Sequence, residues 1–339
     1  MMNRIDSIQI IGTQRSGSNL LRLILNQFEQ VSAPHPPHIL KTFVPLITYY
    51  GNLKKTQNFI QLATDVADLV NTNPVSWGIE MHADEIRKEC RTNNIYEIVS
   101  AVYQIKARLD NAEIWCCKSM HNAYYCSDME RHGIKPFYIY LYRDGRDVAS
   151  SFRKAIVGPK HIYHIAHKWK NEQLKARQVL ELVGKNRFFS IKYEQLLREP
   201  EKVLHSLSNK LNLPYSPDIL AYYNSQESIN TASSGQMWKN LTKPIIRDHY
   251  GMYVNELSVN DIKLFDLIAG DVLKDLNYNN IHVHENLNGT FTEKQMREFE
   301  RANEEMMLEV RKNAAPSDLK KRSKQEELLK NIKARLSVD

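Results

Sequence analysis

The stretch "IIGTQRSGSNLLRLIL" (residues 10–25) carries an apolar run into a glycine-spaced loop and then directly into helical spacing. Gly12-x4-Gly17 has the spacing of the phosphate-cradling loop Gly-x4-Gly-Lys-Ser/Thr, but Ser18 and Asn19 stand where Lys and Ser/Thr belong. In a nucleoside-triphosphate enzyme that lysine reaches the outer phosphates and the hydroxyl holds magnesium. Both are missing here, and Arg15 sits inside the loop instead. A strand, a glycine loop and a helix N-terminus still aim backbone N–H groups at an anion. With Arg15, Ser16, Gly17, Ser18 and Asn19 they make a grip for one phosphate that carries no metal.

Outward from the loop, strand-like runs recur at 7–12, 76–82, 113–119, 136–144 and 187–193. Helical patterns lie between most of them, including 164–184, closed by Gly184, and 200–213, with Pro200 in its first turn. Strands alternating with helices predict an α/β fold with a central parallel sheet flanked by helices. Segment 39–75 reads as helices or a lid beside the site. Its Phe43, Leu46, Ile47, Tyr49 and Tyr50 suit an apolar pocket, or equally a buried core, which is the reading preferred here. From about residue 290 the texture becomes charged and helical, broken at "NAAPSD" (313–318). The expected division is a catalytic domain over 1–285 and a helical C-terminal extension over 286–339, solvated or packed on a partner, through which the chain could form a homo-oligomer.

The 339 residues, 42% of them hydrophobic, suffice for a large core and exclude a disordered chain. Forty-six basic against 39 acidic residues leave a formal charge of +7, which favours polyanionic ligands. A nucleic-acid reader would show a basic face interleaved with aromatics, whereas the only basic cluster is "LKKRSK" (319–324), so nucleic acid is not expected. Four cysteines, two of them adjacent, form neither a disulfide framework nor a metal pattern. With no signal-peptide core and no apolar run near the ~20 residues that span a bilayer, a cytoplasmic location is expected.

A second stretch, "YIYLYRDGRDVASSFRK" (138–154), ends an apolar strand at Arg143 and opens a helix bearing Ser150 and Ser151. An arginine at a strand's carboxyl end, with a hydroxyl from the next helix, can clamp a second phosphate. Together the two stretches resemble the sulfotransferases that use 3′-phosphoadenosine-5′-phosphosulfate (PAPS), a P-loop-like nucleotide-binding fold. The resemblance runs over about residues 7–280. It implies that "GTQRSGSNLLR" binds the 5′-phosphosulfate, and that Arg143, with Ser151 eight residues on, binds the 3′-phosphate. It also implies that Lys118 of "WCCKSMH" lies near the sulfonate, that Tyr193 lies near the nucleotide, and that "SSGQMWKNLTKPI" (233–245) closes over the donor with Ser234 and Lys239. Such a donor has no triphosphate and its transfer needs no metal, which accounts for the missing lysine.

Charge builds on the leaving phosphate and the sulfonate oxygens during transfer, so fixed cations aimed there are the main resource, and Arg15 and Lys118 are the candidates. The acceptor's proton needs a base. His38 and His35 of "PHPPHIL" rank first, then His121, three residues after Lys118, then Glu80. Cytosolic members of the family place a histidine two residues after the lysine; tyrosyl-protein members use a glutamate after the first helix, where this chain has histidines. The expected acceptor is a hydroxyl of a small molecule such as a sterol, phenol or lipid alcohol. The alternatives are a glycan or tyrosyl-peptide acceptor and, from another chemistry, a P-loop kinase or NTPase.

Overall fold

The computed structural model describes residues 5–279 and 291–337. Five parallel strands, β1 (Ser7–Gly12), β2 (Val31–Ser32), β3 (Ile114–Cys117), β4 (Phe137–Tyr142) and β5 (Phe188–Lys192), form one sheet in the order β2-β3-β1-β4-β5. The chain runs from central β1 outward to β2 and β3 on one side and then to β4 and β5 on the other. This puts the reversal of strand order beside β1, where parallel α/β sheets hold ligands at their carboxyl ends. Every strand but β5 is almost wholly buried, as the near-continuous Ile, Val, Tyr and Cys runs require of a sheet covered on both faces.

Helices α1 (Ser18–Leu25), α2 (Ile39–Phe43), α3 (Thr56–Asn71), α4 (Ala83–Glu89), α5 (Ile95–Leu109) and α6 (Cys126–Arg131) fill the first half of the chain. They are followed by α7 (Gly145–Lys154), α8 (Ile162–Val183), α9 (Tyr193–Arg198), α10 (Pro200–Leu211), α11 (Gln226–Ser233), α12 (Tyr253–Glu256) and α13 (Val259–Asp275). Two long helices, α14 (Glu293–Lys312) and α15 (Pro316–Arg335), end the described chain. The predicted helices at 164–184 and 200–213 are α8 and α10, the first stopped at Gly184 with φ 73° and the second begun by Pro200.

Three expectations change. Segment 76–82 is not a strand: the Asn71 amide takes both backbone positions of Met81, accepting its N–H at 2.8 Å and donating to its carbonyl at 2.9 Å, so a side chain replaces a sheet neighbour. Strand β2, only two residues long, was not foreseen. The C-terminal helices are not simply solvated or reserved for a partner. Ile332 of α15 is 2% exposed within the core formed by α2, α3 and α5, Leu328, Leu329 and Leu336 pack beside it, and Arg335 pairs with buried Asp65 of α3. The boundary drawn at 285/286 lies outside the described residues. The aromatic and aliphatic side chains of 39–50 go to the same core: Phe43, Leu46 and Tyr50 are buried in it, while Tyr49 is half exposed.

If Ile332 anchors α15 as its burial indicates, Ile332→Ala should cost about 2–4 kcal/mol in urea melts, as for other buried aliphatic truncations. A loss under about 0.5 kcal/mol, the range of surface changes, would show the helix undocked.

Candidate active site

The loop after β1 is a run of constrained backbone. Gly12, Arg15 and Gly17 have φ of 125°, 73° and 88°, a region that only glycine enters without cost. Space enforces the same choice: a Cβ on Gly12 would lie 2.1 Å from the Leu141 carbonyl oxygen of β4, and one on Gly17 would lie 2.3 Å from the Tyr193 ring. Helix α1 follows Gly17 with no side chain capping it, so its first-turn N–H groups stay available to a ligand. Helix α8 braces the loop from behind, through Gln173 donating to the Thr13 hydroxyl at 2.7 Å while accepting from Tyr140 at 2.6 Å.

Register does the rest. Because β1 and β4 pair with Gly12 beside Leu141, the residue that follows β4, Arg143, arrives at the loop. Its guanidinium lies 3.4 Å from the Arg15 carbonyl and 3.3 Å from Asp147, and covers the Tyr193 ring at 4.7 Å. Arg15 donates to the Ser151 hydroxyl at 3.0 Å. Burial, and then the adjacent Arg143, push Arg15 down to about 10. Asp147 gives Arg143 little relief, since it also accepts the backbone N–H groups of Gly251 and Tyr253. Arg143 Nε and Ser16 Oγ are buried and have no hydrogen-bond partner among the described residues. Two arginines pressed together beside unanswered donors describe an anion site.

Arg15 stands between two spaces. On one side a cleft of about 160 Å³ is lined by Ser18, Asn19, Arg143, Ser151, Tyr193 and Trp238, and it adjoins a cavity of about 350 Å³ reached by Lys239 and His249. On the other side a chamber of about 350 Å³ holds Lys118, His35, His38 and Lys41. Lys118 follows β3 and is 8% exposed. Gln9 of β1 fixes its neighbours by donating to the carbonyls of Cys117 at 3.0 Å and Ser119 at 3.1 Å. Burial, followed by Arg22, brings the Lys118 ammonium down to about 7.

The two histidines sit on a stiff strap, "APHPPH" (33–38), that leaves the edge strand β2. The carbonyl of His35 accepts from Asn73 at 2.8 Å and from the Trp77 indole at 2.6 Å. Both ring nitrogens of His35 are buried without hydrogen-bond partners among the described residues, and burial with Lys118 nearby holds the ring far below its usual range. His38, at φ 63°, binds the Ser119 hydroxyl through Nδ1 at 2.9 Å; burial and then Lys118 lower it to about 3. Both rings are therefore neutral at pH 7.

Other candidates fall elsewhere. His121 packs against Tyr124, tilted, and edge-on to Tyr125, outside the lining of the chamber, and is lowered by burial to about 4. Glu80 is exposed on the irregular 76–82 segment. Ser234 spends its hydroxyl on the carbonyls of Asn230 and Pro74 and lines none of these spaces. Sequence reasoning missed Trp238 and His249, which line the clefts, and Arg22. The last is fully buried and donates to Ala33 O, Glu227 and Thr231 at 2.6–2.8 Å. An arginine inside the otherwise apolar "NLLRLIL" was the available signal.

A model described as the sulfotransferase family matches residues 7–217, from β1 to just beyond α10. The chain belongs to the sulfotransferase family. Its sequence is 23% identical over 221 residues to protein-tyrosine sulfotransferase A of Caenorhabditis elegans, covering 63% of this chain and 51% of that one. The chain thus spans about half the length of that curated relative. Its fold is similar to the sulfotransferase domain of the olefin synthase of Synechococcus PCC 7002 (TM-score 0.56, 17% identity, 82% and 96% of the two chains). It is similar also to the sulfotransferase domain of the curacin biosynthetic pathway (TM-score 0.54, 19% identity, 82% and 99%). Among the described residues no helix is long and apolar enough to cross a membrane, and no cluster of three or more His, Cys, Asp or Glu side chains could hold a metal.

Two lysine titrations should appear below pH 9 in ¹³C-methyl spectra of reductively methylated protein: Lys118 near 7, and Lys160, buried against the carbonyls of Val157 and Gly158, near 8. Lys118→Arg should remove the lower one. A Lys118 signal that titrates near the ordinary value of about 10.4 would mean the amine is hydrated rather than buried.

Proposed function

We propose that this sulfotransferase takes its sulfonate from PAPS and delivers it to a hydroxyl of a small molecule. The observation that carries the reading is the Arg15–Arg143 pair at a lysine-free loop, with Ser16 Oγ and Arg143 Nε buried and unpaired. A donor with two separate phosphate positions and no triphosphate answers both arginines. In this reading Arg15, Ser16, Gly17, Ser18, Asn19 and the α1 N-terminus hold the 5′ end, and Arg143 with Ser151 holds the 3′-phosphate. Tyr193 packs near the nucleotide, and Lys239 closes over it. A kinase or NTPase reading lacks the loop lysine and the hydroxyl after it.

The donor supplies an activated sulfur bonded to a phosphate oxygen. A new bond forms from the acceptor oxygen to that sulfur, the old sulfur–oxygen bond breaks, and its electron pair leaves on the phosphate. Lys118, after β3, and Arg15, in the loop after β1, would meet that growing negative charge. His38 is the preferred base. It is neutral, Ser119 fixes its orientation through Nδ1, and Nε2 is left for the acceptor proton. An anion bound at Lys118 would remove the main charge that depresses His38 and raise its basicity. His35 stands next as an alternative. A tyrosyl peptide is the second reading for the acceptor, supported by the likeness to a tyrosine sulfotransferase.

Calorimetric titration with adenosine 3′,5′-bisphosphate, against ATP with magnesium, tests the donor. Micromolar or tighter binding, about 8 kcal/mol, to the bisphosphate alone is expected, and binding to ATP–magnesium alone would overturn the reading. Arg143→Ala should weaken the bisphosphate by roughly 1.5–3 kcal/mol while leaving AMP nearly unaffected. Equal losses for both ligands would remove the 3′-phosphate assignment. His38→Ala should lower kcat by about 10²–10⁴ with bisphosphate affinity unchanged, and a near-normal rate would exclude His38 as base.

Donor binding should also take up a proton. With Lys118 near 7 in the free protein and raised by an anion, affinity should be flat below about pH 7 and fall as pH rises above it. Titrations at pH 8 in buffers of different ionisation enthalpy read this directly. Lys118→Met should abolish most of the uptake, separating Lys118 from Lys160.

A further inference from the structure

We infer that the acceptor carries an anionic oxygen group, a carboxylate or a phosphate ester, received by Arg322 of α15. The inference rests on the sulfotransferase reading above. It begins with the one basic run of the sequence, "LKKRSK" (319–324), which the structure brings back over the active site. Arg322 and Gln325 of α15 line the chamber that holds Lys118, His35 and His38. Gln325 is tied to the Leu69 carbonyl, and the Asp318 carboxylate accepts the Gln236 N–H at 3.1 Å, so the helix is pinned on both sides of Arg322.

Charge in the chamber is one-sided. Arg15, Lys41, Lys118, Lys168 and Arg322 line it, and no carboxylate is among the described lining residues. The donor would answer Arg15 and Lys118, and Glu172 answers Lys168 at 2.5 Å. Arg322 has no such answer. Asp318 and Glu326 on its own helix attract it, but Glu326 is held by Arg311 at 2.8 Å and Asp318 by Gln236. His35 faces it as a neutral ring, and the Trp238 ring lies 5.8 Å from its guanidinium carbon. Its Nε and Nη2 are buried with no hydrogen-bond partner among the described residues.

Buried guanidinium N–H groups without acceptors are costly, and the planar fork is matched by a two-oxygen anion. The acceptor hydroxyl must reach the Lys118–His38 side of the chamber, so the anion and the hydroxyl sit at opposite ends of one small molecule. A volume of about 350 Å³ fits that size. Phe43, Leu46, Ile47 and Tyr50, which would have suited a sterol or lipid alcohol, are spent in or against the core.

The test is calorimetry on the full chain saturated with adenosine 3′,5′-bisphosphate, using 4-hydroxybenzoate, 4-hydroxyphenyl phosphate and the neutral methyl 4-hydroxybenzoate as probes. At least one charged probe should bind about 10-fold or more tightly than the ester, and which one does so assigns carboxylate or phosphate. Arg322→Gln should erase the preference and Arg322→Lys should keep part of it, with bisphosphate binding reporting that both variants are folded. Equal binding of all three probes, no binding of any, or a preference that survives Arg322→Gln overturns the inference while leaving the donor site intact. Loss of bisphosphate binding in the unmodified protein would instead strike the PAPS reading itself.

Discussion

No side chain fits between β1 and β4 at Gly12, and that closeness organises the active site. With the Leu141 carbonyl where a Cβ would stand, the two central strands run together to their carboxyl ends, and the loop after one meets the arginine after the other. Neither arginine would be stable so near its like without something to share. The fold supplies hydroxyls, an aromatic face and an overcommitted aspartate, and stops short of neutralising the pair. The unfinished electrostatics are the basis for reading a binding site here.

Positive charge continues beyond the pair. Lys118 and the chamber behind it extend the field past Arg15, so that one loop divides two spaces with the same sign of potential. There burial, and then neighbouring positive charge, lowers Lys118 to about 7 and keeps His38 neutral. An anion bound beside Lys118 would raise the proton affinity of that lysine and of His38.

Much of this was legible in the chain. Strands β1, β3, β4 and β5 announced themselves as apolar, β-branched or aromatic runs, and the loop's glycines and the Arg143–Ser151 spacing pointed to residues that the structure brings to one cleft. What stayed hidden depended on long-range packing. The two residues of β2 have no pattern of their own and exist only through pairing with β3. Segment 76–82 has strand-like composition, but an asparagine from α3 satisfies its backbone first. The helical period of 316–335 was readable, yet its docking hangs on a few side chains, chiefly Ile332 and Arg335, and nothing local in "LKKRSK" distinguishes a solvated arginine from one lining a chamber.

The strap that carries the two histidines has Pro34, Pro36 and Pro37 around His35. Each proline fixes its own φ and confines the residue before it. This narrows the unfolded chain as much as the folded one, so little freedom remains to be lost when the strap is laid across the chamber. The placement of positions 35 and 38 therefore depends chiefly on the prolines and on the backbone bonds from Asn73 and Trp77, and little on what the imidazoles themselves touch. The loop after β1 leaves no room for a Cβ at Gly12 or Gly17. The strap, by contrast, is a fixed bracket whose imidazole tips could be exchanged without rebuilding the fold.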